Sequence, residues 1–128
     1  MMKRHAAREK AFQLLFQIDS NDMNPNEALR EQNDGVAEID SFLEGLVHGV
    51  ADYKETVDQI ISDHLENWTI QRIASVEKTI LRIATYEITY LEDIPTNVSI
   101  NEAVELANKY GDEKSGKFVN GVLSKIIA

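Results

Sequence analysis

The chain has 128 residues, no cysteine, and 13 basic against 22 acidic residues for a net charge of −9. That length carries one domain, its 43% hydrophobic content suffices for a core without staples, and the absence of thiols excludes disulfide frameworks, thiolate zinc sites, iron–sulfur clusters and cysteine nucleophiles. No run approaches the roughly 20 apolar residues of a membrane span, and Gln13 and Gln17 interrupt the apolar run behind the basic N-terminus, so a single cytoplasmic domain over 1–128 without a signal peptide is expected.

Apolar residues recur at spacings of three and four, and Pro25 and Pro95 are the two prolines, so the pattern predicts an all-α fold. The first helix covers about 6–19, with Ala7, Ala11, Leu14, Leu15 and Ile18 as its buried stripe. Turn formers over 19–25 end it, and a short helix over about 27–31 precedes a break at Asn33-Asp34-Gly35. Ile39, Phe42, Leu43, Leu46, Val47 and Val50 build the next helix, which bends or breaks near Gly49 and resumes through Val57, Ile60, Ile61 and Leu65. A helix from 69 or 70 to about 91 carries Ile73, Val76, Ile80, Ile83, Ala84, Ile88 and Leu91 around much of its circumference, which makes it the central one. Glu77 and Glu87 fall on or beside its apolar stripe, and with no histidine or nucleophile beside them in sequence they read as structural acids that need a cation or backbone amides. Ser99-Ile100-Asn101-Glu102 reads as a capping box with Ser99 at the N-cap. Gly111 is placed as a left-handed stop after Tyr110, and the last helix covers about 115–126. The expected domain is compact, with six or seven helices.

Charge is unevenly distributed. Lys3, Arg4, Arg8 and Lys10 against Glu9 leave +3 in residues 1–10, whereas 9 basic and 21 acidic residues leave −12 in the remainder. Polyanions are therefore drawn to one end of an acidic body, and the body itself suits a basic protein partner. On the first helix Phe16 lies roughly 160° from the middle of the buried stripe and Phe12 roughly 120°. Arg4 and Arg8 precede them, so cations come before aromatics, the combination that single-stranded nucleic acid uses. Phe12 fits packing under a neighbouring helix better, and Phe16 fits either role. The last helix repeats the pattern: Val119, Val122, Leu123 and Ile126 point inward, Lys114, Lys117 and Lys125 outward, with Phe118 on the edge and Gly121 leaving room for a backbone or ligand. The first and last helices are expected to lie together and to join Arg4, Arg8, Phe16, Lys117 and Phe118 on one exposed surface.

Catalytic and metal readings find no support in the linear sequence, and no enzyme activity, cofactor or metal is expected. His5, His48 and His64 show no ligand spacing among themselves. The run from Asp19 to Asn24 begins like a calcium loop but has Met23 at position five and Arg30 at position twelve. No glycine-rich phosphate loop and no nucleophile elbow occurs.

Four blocks carry a family resemblance. The stretches 7–16 (AREKAFQLLF), 76–87 (VEKTILRIATYE), 100–107 (INEAVELA) and 117–123 (KFVNGVL) resemble, in family order, the conserved blocks of the NusB family, and together they span nearly the whole chain. The resemblance implies two packed helical bundles with a basic edge on the first helix. It implies a transcription antitermination factor that binds boxA, a single-stranded element in ribosomal RNA leaders, as a complex with the ribosomal protein NusE. The pair would help RNA polymerase read through terminators in ribosomal RNA operons. Some members self-associate through the same basic surface, which leaves a homodimer open. Carried over residue by residue, Lys3, Arg4 and Arg8 fall in the basic N-terminal region, and Phe16 stands where members often have tyrosine. Arg82, Tyr110, Ser115, Lys117 and Phe118 match positions lining the RNA surface, and Lys114 stands where some members carry an acid. The basic run is sparser than in arginine-dense members. NusB-like domains also occur fused to RNA methyltransferases, but this chain holds no cofactor motif. The reading of a different class is a helical protein–protein adaptor without intrinsic RNA binding.

Overall fold

The computed structural model describes residues 2–32 and 38–128, and among these the chain forms helices and no strand. The elements are α1 (Arg4–Asn21), α2 (Pro25–Gln32), α3 (Ser41–Asp52), α4 (Lys54–Asp63), a 3₁₀ turn (Ile70–Arg72), α5 (Ser75–Tyr90), α6 (Thr96–Tyr110) and α7 (Glu113–Ile127). The predicted break at Asn33-Asp34-Gly35 lies outside the described residues.

Local chemistry sets the ends. Asp22 takes the left-handed conformation (φ 53°) at the end of α1, with its backbone N–H on the Ile18 carbonyl. The Asp40 carboxylate caps α3 by accepting from the Leu43 backbone N–H at 3.1 Å, and it also accepts from the Met2 backbone N–H. These bonds, the first to Leu43, hold the Asp40 carboxyl below its ordinary range. Asp112 and Ser115 form a reciprocal capping box at the start of α7.

As expected, α5 is central. Its residues Thr79 to Thr85 are all buried, and α1, α3, α4, α6 and α7 pack against it. Helices α1, α2 and α3 pack on one another, α4 packs on α3, and α1, α3 and α4 pack on α5, while α6 and α7 form a tight pair on α5. Fewer contacts, between α1 and α6 and between α4 and α7, join the two groups.

Four local expectations are corrected. Helix α3 runs through Gly49, and the chain breaks at Tyr53 instead. Gly49 is a packing position: a Cβ there would overlap the Tyr86 ring of α5. The central helix begins at Ser75, because residues 70–72 wind as a separate 3₁₀ turn. Ser99 is not an N-cap. Pro95 takes that place, and Ser99 sits buried inside α6 with its hydroxyl donating to Glu87 Oε1 at 2.8 Å. Gly111 has φ −113° and is not left-handed. A Cβ there would crowd the Ser115 side chain and come 2.9 Å from the Ala107 carbonyl oxygen, so space and not handedness calls for glycine.

Candidate nucleic-acid interface

Arg8 and Arg82 are interior. Arg8 is 4% exposed, and its Nε and Nη2 donate to Glu87 Oε2 and Oε1 at 2.8 and 2.9 Å. Arg82 is 8% exposed and grips Asp58 at 2.8 and 2.9 Å, with Asp19 at 3.7 Å. The expectation that both line an exposed surface is therefore corrected. On the helix wheels Arg8 flanks its buried stripe and Arg82 lies opposite its own, yet the tertiary fold lays a carboxylate from another helix against each. A buried carboxylate such as Glu87 is costly without a cation, so the interior claims the charge.

The terminal cations remain outside. Lys3 and Arg4 are exposed at the start of α1. Arg4 lies over the Phe42 ring at 4.7 Å and reaches Asp93 at 3.8 Å. About two helical turns beyond Arg4, an aromatic row crosses from α1 to α6. Phe12 is buried and stands 4.7 Å from the Tyr110 ring and 6.0 Å from Phe16. Phe16 is half-buried, so one side packs and one side is open. The Tyr110 hydroxyl donates to Glu9 Oε2 at 2.8 Å and accepts from Gln13 Nε2 at 2.9 Å. Lys109 and then Tyr110 hold the Glu9 carboxyl below its ordinary range.

Beyond the α6–α7 turn lies a cavity of about 410 Å³ walled by Trp68, Arg72, Ile73, Glu77, Lys114, Ser115 and Phe118. Ser115 is buried, and its hydroxyl donates to Glu77 Oε1 at 2.7 Å. The other carboxylate oxygen, Glu77 Oε2, is buried with no hydrogen-bond partner among the described residues. Trp68 is 56% exposed. Phe118 is half-buried. Lys117, one residue earlier, faces a separate groove between α6 and α7 that also holds Asn108 and Asn120. Exposed Gly121 has nothing within 4 Å of where its Cβ would be, so no helix packs on it.

The expected single surface is thus rearranged. The strong packing of α1 is on α3 and α5, and that of α7 is on α6 and α5, so the first and last helices are not the joined pair. Helix α6 touches both. Tyr110 at its end packs on the α1 aromatics, and the cavity opens past the turn that follows it.

A model of the NusB family matches residues 5–128. The chain belongs to the NusB family. It is 61% identical to the transcription antitermination protein NusB of Oceanobacillus iheyensis over 99% of this chain and 100% of that protein. The solved structure of T. maritima NusB superposes with a TM-score of 0.88 at 36% identity, covering 98% of this chain and 90% of that one. A crystal structure of the antitermination factors NusB and NusE in complex with double-stranded RNA matches with a TM-score of 0.84 at 35% identity, covering 98% and 97% of the two chains.

Within this NusB fold, two residues of the cavity, Trp68 and Arg72, carry little functional signal in the linear sequence. Trp68 sits in the polar stretch Glu66-Asn67-Trp68-Thr69, and a lone tryptophan among polar residues ahead of a helix was the available signal. Arg72 gave none, since it reads as an ordinary cation at a helix start. Glu77 reads from its stripe as a structural acid, which holds for Oε1 and leaves Oε2 without a partner among the described residues.

Proposed function

We propose that this NusB-family protein is a cytoplasmic transcription antitermination factor. It binds single-stranded boxA RNA of ribosomal RNA leaders as a complex with NusE and supports processive ribosomal RNA transcription by RNA polymerase. It works by binding and not by catalysis. The observation that carries the reading is the cavity between the 3₁₀ turn, α5 and α7. It presents the open aromatic faces of Trp68 and Phe118, the cations Arg72 and Lys114, and one buried carboxylate oxygen lacking a donor. Aromatic faces stack on unpaired bases, cations meet phosphates, and the amino group of a base would supply the donor that Glu77 Oε2 lacks. Phe16 and Tyr110 offer further aromatic surface at the seam of α1 and α6, and Lys3, Arg4 and Lys117 offer further cations for phosphates. Arg8, Arg82 and Ser115 act by positioning: Arg8 anchors α1 on α5, Arg82 anchors α4 on α5, and Ser115 orients Glu77. The −12 charge beyond residue 10 favours the approach of a basic partner such as NusE.

Fluorescence anisotropy with labelled boxA RNA, a scrambled strand and a duplex, each with and without NusE and across salt, tests this. Tighter binding to single-stranded boxA than to the other two, strengthened by NusE and weakened steeply by salt, is the expected result. Association with NusE but no RNA binding in any arm would leave the protein-only adaptor as the correct reading.

A further inference from the structure

The first turn of α1 lies against α6, and ligand atoms from three side chains converge where they meet. His5 Nδ1 is 2.6 Å from Glu102 Oε2 and 3.7 Å from Glu105 Oε2. Ligand atoms of all three residues lie within 4.8 Å of one another. The spacing has a simple origin, since Glu102 and Glu105 are i and i+3 on one face of α6.

A tetrahedral ion bound by nitrogen and oxygen at about 2.0–2.2 Å holds its ligand atoms about 3.4 Å apart. The two distances from His5 Nδ1 bracket that separation. His5 and Glu105 are 58% and 66% exposed, so small side-chain rotations suffice to complete the geometry. A cleft lined by His5, Glu9, Glu105 and Lys109 opens beside them and gives solvent access to a fourth coordination position. The local field is negative. The hydrogen bond that His5 donates to the Glu102 carboxylate leads in holding the imidazole above its ordinary 6.5, and Glu105 and Glu9 act in the same direction. Lys109 is taken up by Glu9, leaving the two α6 carboxylates facing the imidazole.

We propose that His5, Glu102 and Glu105 form a surface site for a divalent transition-metal ion of the zinc type, which ties the first turn of α1 to α6. One imidazole with two carboxylates suits zinc, whereas calcium and magnesium favour all-oxygen shells. The site stands one residue from Arg4 and two from Lys3, so the ion fixes the base of the basic arm and lowers the negative potential beside it.

Titration calorimetry of the untagged full chain with zinc chloride alone tests the proposal. One zinc per chain is expected. H5Q and E102Q should each bind it at least about tenfold more weakly, the loss that removal of even an outer-shell partner causes at a metal site. H64Q should bind as the parent does, since His64 caps α4 against the Ile60 carbonyl and takes no part. Circular dichroism confirms that the variants are folded, and nitrogen-15 shifts of the imidazoles should move at His5 Nδ1 and not at His48 or His64. Absence of zinc uptake by the parent at millimolar metal, or parental affinity in folded H5Q or E102Q, overturns the site.

Discussion

The guanidinium of Arg8 grips both carboxylate oxygens of Glu87, at 2.8 and 2.9 Å, with the two side chains 4% and 1% exposed. This pair joins α1 to the central helix, and Ser99 adds a third bond from α6. Removing one member strands a buried charge, so R8A and E87A should each destabilise the fold by about 3–5 kcal/mol in urea denaturation. The double variant R8M/E87M should lose much less than the sum of the two. Once folded, it should bind boxA RNA with the parental salt slope. A flattened slope in that variant would show that Arg8 meets phosphate after all.

The cavity residues separate stacking from charge. F118A and W68A should weaken boxA binding by about 1–3 kcal/mol each and leave the salt dependence unchanged. K114A should instead reduce the salt slope by about one. Trp68 is 56% exposed, so its removal should barely move the unfolding midpoint. Anisotropy across salt, with thermal melts in parallel, checks all three.

Asp40 supplies a pH signature. Its folded carboxyl is held below the ordinary 3.8, chiefly by the Leu43 backbone N–H. A depressed carboxyl contributes stability that is present above the unfolded value and lost as pH falls through the folded one. D40A should therefore cost about 1 kcal/mol at neutral pH, as the loss of an N-cap does. The gap between parent and variant should close below pH 3.8. Chemical denaturation at several pH values measures this, and a gap that persisted in acid would refute the assignment.

Gly49 makes a steric prediction. G49A gains helix propensity by roughly 1 kcal/mol, yet its methyl would overlap the Tyr86 ring. Overpacking of this kind costs about 1–3 kcal/mol, so the net effect should be destabilising. G45A, in the same helix with open space at its Cβ, should be stabilising, and the opposite signs in thermal melts are the test.

Helix type, the centrality of α5 and the inward placing of Glu77 and Glu87 were legible in the linear sequence, because a 3.6-residue period and a stripe of apolar residues are properties of one segment and need no partner to be read. The family blocks were legible for the same reason, being runs of adjacent residues. The partner of each side chain was not. Arg8 and Arg82 resemble surface cations until α5 lays Glu87 against one and α4 lays Asp58 against the other. Ser99 fits a capping pattern until Pro95 takes the cap and Glu87 takes the hydroxyl. His5 had no ligand neighbour in sequence and acquired two carboxylates, 97 and 100 positions away, when α1 docked on α6. Periodicity says which face of a helix turns inward, but burying a charge demands a counter-charge at about 3 Å, and which residue supplies it depends on how distant helices pack.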